Sequence, residues 1–68
     1  MYFKPQKLYR HRNTIDTDMY VVASEKTATG YALRVRYWNR FYMMFQGQPD
    51  QVIVKYEDLN NWKSISGL

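Results

Sequence analysis

The sequence predicts an all-β fold: a small antiparallel barrel of five to six strands with one short helical turn near the C-terminus. Three observations carry this reading. Apolar residues alternate with period two through most of the chain, while helical periodicity is scarce. The 68 residues, 46% of them hydrophobic, have room for one domain, residues 1–68, and no second. The candidate strands are short and closely spaced, as small barrels require. A chain this short buries only about 60% of its unfolded surface, so its core is marginal. No cysteine is present to staple it, which also excludes thiolate metal sites and a cysteine nucleophile. Seven tyrosines, three phenylalanines and two tryptophans compensate, since each aromatic ring buries about 150–250 Å².

The elements follow in order. Residues 7–11 form a first strand with Leu8 and Tyr9 as its apolar residues. Residues 1–6 before it, and 66–68 at the far end, are expected to fray. Residues 13–17 are a polar loop, because Asn, Asp and Thr side chains bond their own backbone. Residues 18–24 are a second strand, with Met19, Val21 and Ala23 on one face and Tyr20 and Val22 on the other. Apolar on both faces, it belongs in the middle of the sheet. Residues 25–30 connect it onward, with Gly30 free to take a positive φ.

The alternation is clearest over residues 31–45. Tyr31, Leu33, Val35, Tyr37, Phe41, Met43 and Phe45 make one apolar face, interrupted by Asn39. Arg34, Arg36, Trp38, Arg40 and Tyr42 make the other, basic and aromatic. A straight strand of that length would span about 50 Å, so a tight turn or a bulge is expected at Asn39 and Arg40. Residues 46–50, Gln-Gly-Gln-Pro-Asp, carry the strongest turn signal. Residues 51–56 alternate again. Asp58 is placed to cap a helical turn over residues 59–62, and residues 63–65 add an edge strand. The SH3-like strand order fits these elements best; an OB-like barrel runs longer and carries a fuller helix. Leu33, Val35, Val54 and Trp62 are the core residues this predicts.

The net charge of +4 is unevenly placed. Residues 1–12 hold Lys4, Lys7, Arg10 and Arg12 without an acid, and residues 34–46 hold Arg34, Arg36 and Arg40 without one. Residues two apart on a strand face stand about 6.6–7 Å apart, a spacing suited to successive phosphates of an extended nucleic-acid strand. Arginines would hold phosphates while Trp38 or Tyr42 stacks a base. The candidate nucleic-acid-binding residues are therefore Arg34, Arg36, Trp38, Arg40 and Tyr42, with Lys7, Arg10 and Arg12 extending the patch. The ordinary alternative is a solvated face whose long Arg stems cover apolar surface, with edge cations that block aggregation.

Catalysis has little to work with, and no catalytic residue is assigned. His11 sits among Lys and Arg without a local carboxylate to orient it. Asp16 and Asp18 lack the further acids and the glycine of a calcium loop, so no metal or cofactor is expected. No phosphate-cradling glycine loop or nucleophile elbow is present. A non-enzymatic binding module is the reading, with nucleic acid ahead of a protein partner and a homo-oligomer as the third option. No small-molecule substrate, membrane span or signal peptide is expected, which points to a cytoplasmic protein.

Four strings, Lys7-Leu8-Tyr9-Arg10-His11, Asp16-Thr17-Asp18-Met19-Tyr20-Val21, Arg34-Val35-Arg36-Tyr37-Trp38-Asn39-Arg40 and Asn61-Trp62-Lys63, give the chain a further likeness. It resembles the short accessory proteins of tailed bacteriophages. The resemblance implies a bacterial host cytoplasm and a role in binding, or inhibiting, a host protein, or in binding nucleic acid. It carries over no functional residue.

Overall fold

The computed structural model describes residues 2–65; Met1 and the expectation for residues 66–68 lie outside them. The fold is all-β. Five strands run β1 (Lys7–His11), β2 (Thr17–Lys26), β3 (Gly30–Asn39), β4 (Met44–Lys55) and β5 (Trp62–Ile65), with a 3-10 turn at Tyr56–Asn61. They form one antiparallel sheet in the order β4-β3-β2-β1-β5. The sheet is open: β4 and β5 are its edges, and no pairing among the described residues joins them into a barrel. The long β2, β3 and β4 outrun the short β1 and β5, giving a molecule 36 Å in its longest dimension and 21 by 18 Å across.

One face of the sheet carries the core. Tyr31, Leu33 and Val35 alternate onto it from β3, meeting Met19 and Val21 of β2, Tyr9 of β1 and Val54 of β4. Each such aliphatic side chain contributes roughly 1.5–3 kcal/mol when fully buried. Trp62 and Leu59 pack at its margin. The expectation that residues 1–6 fray is corrected for residues 2–6. Phe3 is wholly buried, its ring edge-on to Tyr9 at 4.8 Å, Tyr31 at 5.7 Å and Trp62 at 6.0 Å. The Lys4 N–H donates to the Tyr9 hydroxyl at 2.6 Å and the Gln6 N–H to the Val21 carbonyl at 2.8 Å. A single sheet has no second layer, so an aromatic from the preceding segment helps to cover its apolar face.

Five local expectations change. In β2, a bulge between Val21 and Ala23 leaves Val22 unpaired and exposed, and moves Ala23 to the face opposite Val21. Between β3 and β4 the chain reverses over residues 40–43, so the break at Asn39 and Arg40 is a turn. The reversal ends the parity: Phe41 and Met43 are exposed at the tip, and Phe45 lies opposite Trp38 on the outer face. The Gln-Gly-Gln-Pro-Asp segment is no turn but part of β4. Its residues form a bulge opposite Arg36, with Gly47 at φ +68° and Pro49 tolerated because β4 is an edge strand. Gly30 has no positive φ. It is a glycine because a Cβ there would meet the Val54 carbonyl oxygen at 2.1 Å. Asp58 lies within the 3-10 turn rather than capping it; Lys55 holds the cap position without a side-chain bond.

Candidate functional site

Strand pairing lays out the face opposite the core as lateral rows, because directly paired residues share a face. One row crosses the sheet from Phe45 through Trp38 to Asp18, and from Arg10 to Lys63. Arg10 and Asp18 join its two halves by a bidentate pair, Nε to Oδ1 at 2.8 Å and Nη2 to Oδ2 at 3.1 Å. The next row pairs Arg36 with Tyr20, Tyr20 with Leu8, and Leu8 with Ile65. Arg34 follows, opposite Ala23 and Gln51.

At the β3 end the aromatics make a cluster. Phe45 is edge-on to Trp38 at 5.1 Å and to Tyr20 at 5.5 Å, and the Arg36 guanidinium carbon lies 4.1 Å from its ring centre. A guanidinium stacked on an aromatic face keeps its N–H fork available for an anion. Arg36, Trp38, Tyr20 and Phe45 are all half-buried, whereas Arg34 is exposed. Neither Arg34 nor Arg36 makes an ion pair among the described residues.

The other expected site residues divide. Arg10 and Arg40 bind Asp18, whose residue surface is only 2% exposed. Arg40 Nη1 reaches Asp18 Oδ1 at 3.1 Å, and its Nη2 donates to the Ile15 carbonyl. Hydrogen bonding to Asp18 raises the Arg10 pKa above its ordinary value, with Asp18's charge adding to it and desolvation opposing both. Two cations on one buried carboxylate leave one positive charge where the sequence offers two. Tyr42 is at the hairpin tip, 72% exposed, away from the paired rows. Lys7 pairs with Val21 and so belongs to the core-side parity, at the rim. Arg12 lies just past β1, where its N–H donates to the Asn61 carbonyl at 2.8 Å and its Nη1 to Asn61 Oδ1 at 3.3 Å. The structure thus brings together Arg34, Arg36 and Trp38, and takes Arg10 and Arg40 into the frame.

The hairpin tip is built by Asn39. Its Oδ1 accepts the N–H groups of Phe41 and Tyr42, both at 2.9 Å, and its Nδ2 donates to Gln46 Oε1 at 3.2 Å. That network leaves Phe41, Tyr42 and Met43 between 72% and 74% exposed, with Met44 at 55%. Met43 holds φ +54°, a left-handed conformation that non-glycine residues rarely take.

His11 does have a carboxylate, supplied across the fold. Its Nδ1 accepts the Asn13 N–H at 3.1 Å, which leaves the neutral ring's proton on Nε2, 3.6 Å from Asp58 Oδ2. Asp58 also accepts from Asn61 Nδ2, and from Trp62 Nε1 at 3.2 Å. The Asn61 bond, then those from Trp62 and His11, hold Asp58 below the usual carboxylate range against a smaller opposing desolvation. No group of three or more His, Cys, Asp or Glu suited to a metal ion occurs among the described residues. No described helix is long and apolar enough to cross a membrane.

Sequence reasoning missed Phe45 and Lys63 as members of the outer face; it put Tyr20 on the face opposite Met19 and Val21, as found, without joining it to Arg36. Reading residues 40–43 as a four-residue hairpin loop would have paired Trp38 with Phe45. The apolar Phe-Tyr-Met run hid that loop. No protein-family model, curated protein or solved structure matches the chain.

Proposed function

We propose that the protein is a non-enzymatic nucleic-acid-binding module that tracks phosphates across the outer face of its sheet. One observation carries this reading: Arg34 and Arg36 make no ion pair among the described residues and stand beside a Trp38–Phe45–Tyr20 aromatic cluster, while of the two acids that strand pairing puts on that face Asp18 is neutralised twice over and Glu25, opposite Ala32, is exposed at its far end. Arginine forks would hold phosphates and the partly exposed rings would stack bases, a mode tolerant of sequence. Arg34, Arg36 and Trp38 carry the contact, and Lys63 and Arg12 continue it at the β5 end. An SH3-like architecture is part of the proposal. Its support is the four-strand meander, the 3-10 turn and the return of β5 beside β1. A tailed-phage accessory protein acting in a bacterial cytoplasm is the setting that the resemblance suggests.

Fluorescence anisotropy with labelled single-stranded DNA, single-stranded RNA and duplex DNA, each at low and near-physiological salt, tests the proposal. Binding that falls several-fold or more with salt supports it. Absence of binding at low salt overturns it.

A second reading has its own observation. Phe41 to Met44 form an exposed apolar knob held by a strained Met43 backbone, the kind of strain that persists at contact sites. In this reading the tip docks a protein partner, a host protein or a second copy. Phe41→Ser with Tyr42→Ser would then abolish partner capture and leave nucleic-acid affinity unchanged.

A further inference from the structure

At the β5 end of the outer face lies an open depression of about 320 Å³, lined by Arg10, His11, Arg12 and Thr14 on one side and by residues 60–63 on the other. We propose that this depression binds a phosphate monoester, the terminal phosphate of a nucleic-acid strand or the phosphate of a free mononucleotide. The inference rests on the outer-face reading only for the strand as carrier; the pocket's own chemistry stands apart from it.

The charges decide the ligand class. Arg10 is committed to Asp18, and the adjacent carboxylate, Asp58, is taken up by Asn61, Trp62 and His11. Arg12 and Lys63 remain without a carboxylate among the described residues. Arg12 is also positioned in advance. Its backbone and one guanidinium nitrogen bond Asn61, which holds the side chain at the rim and leaves the rest of the fork open. Two uncompensated cations match a phosphate monoester, which carries about −1.5 to −2 at neutral pH, better than a carboxylate or an internal diester with one charge. The volume falls at the low end of ordinary ligand pockets, roughly 300–1,000 Å³. Position agrees with charge: Lys63 pairs with Arg10, so the depression continues the row that begins at Phe45. Four inter-strand steps of about 4.8 Å separate the ends of that row, within reach of a short oligonucleotide.

Two measurements test this. First, anisotropy compares one oligonucleotide bearing a terminal phosphate with the same oligonucleotide bearing a terminal hydroxyl. The parent is expected to prefer the phosphorylated form by about tenfold, the scale of a charge-assisted contact. Arg12→Gln with Lys63→Gln loses that preference, so that the two forms bind equally, whereas Arg34→Gln with Arg36→Gln weakens both forms and keeps the preference. Second, amide chemical shifts of the parent are followed while inorganic phosphate, and separately adenosine monophosphate, is added. Saturable shifts confined to residues 10–14 and 60–63 support the pocket, and saturation by either probe without an end preference makes the free compound the ligand. Equal affinity for the two oligonucleotides, together with shifts that never saturate, overturns the pocket and leaves the Arg34 and Arg36 reading standing. Saturable phosphate shifts in a protein that binds no oligonucleotide sustain the pocket and sink that reading instead.

Discussion

Arg10 and Arg40 form one pair of arginines at the outer face, and Arg34 and Arg36 another. By type and strand parity the four look interchangeable, yet the first two converge on a buried carboxylate while the second two make no ion pair among the described residues. Asp18 makes the difference. A carboxylate 2% exposed is tolerated only with charged or hydrogen-bonded partners, and the register of β1 against β2 brings Arg10 to it while the hairpin brings Arg40. Once satisfied, that triad ties β1, β2 and the start of the β3–β4 turn together. Arg34 and Arg36 have no such partner, so their charge is available to a ligand. Positive charge on a face is therefore a census of cations minus those the frame has already used.

Removing the anchor should have the largest effect. Asp18→Ala leaves two arginines facing a cavity, and the domain is expected to lose about 3 kcal/mol in urea unfolding, because breaking a buried pair exposes its partners' desolvation cost. In so small a core that loss leaves much of the protein unfolded. Arg40→Gln removes one arm and keeps the bidentate Arg10 pair; a loss of about 1–2 kcal/mol is expected by the same measurement. The double variant Arg34→Gln, Arg36→Gln should unfold within about 1 kcal/mol of the parent, since neither side chain holds an ion pair among the described residues and only the Arg36 stack on Phe45 is lost. A large loss there would erase the distinction between the two pairs. The smallest effect concerns Asp58. Its folded-state pKa is depressed, so it adds stability above the unfolded carboxylate value and loses it as pH falls through the folded value. Asp58→Asn should lie below the parent in stability at neutral pH, and the gap should close in acid when thermal unfolding is followed across pH. A gap independent of pH would mean that the carboxylate's charge is not what holds Asn61 and Trp62.

Period-two reading found β1, the body of β2, β3 and the core residues Leu33, Val35 and Val54. It also assigned Arg34, Arg36 and Trp38 to one face, because parity within a single strand is a local property. It failed where pairing or a distant partner decides. The Arg-Phe-Tyr-Met turn has none of the residues that usually mark one; Asn39, just before it, supplies the side-chain Oδ1 that accepts two of its N–H groups. The Gly-Gln-Pro stretch carries turn chemistry that an edge strand spends on a bulge instead. Phe3 precedes every periodic segment, so nothing local announced its burial. The Asp18 triad and the His11–Asp58 pair join residues that only the folded sheet brings together, and a one-dimensional charge count gave all the arginines equal weight.

The most direct test measures the salt dependence of single-stranded nucleic-acid binding for the parent, for Arg34→Gln with Arg36→Gln, and for Arg40→Gln, each under conditions where circular dichroism shows it folded. Loss of a phosphate contact lowers the slope of log affinity against log salt by about 0.7 on a single strand. The account predicts a lower slope and weaker binding in the Arg34 and Arg36 variant, with the Arg40 variant keeping the parent's slope. Equal slopes in all three, or a loss confined to the Arg40 variant, would contradict it.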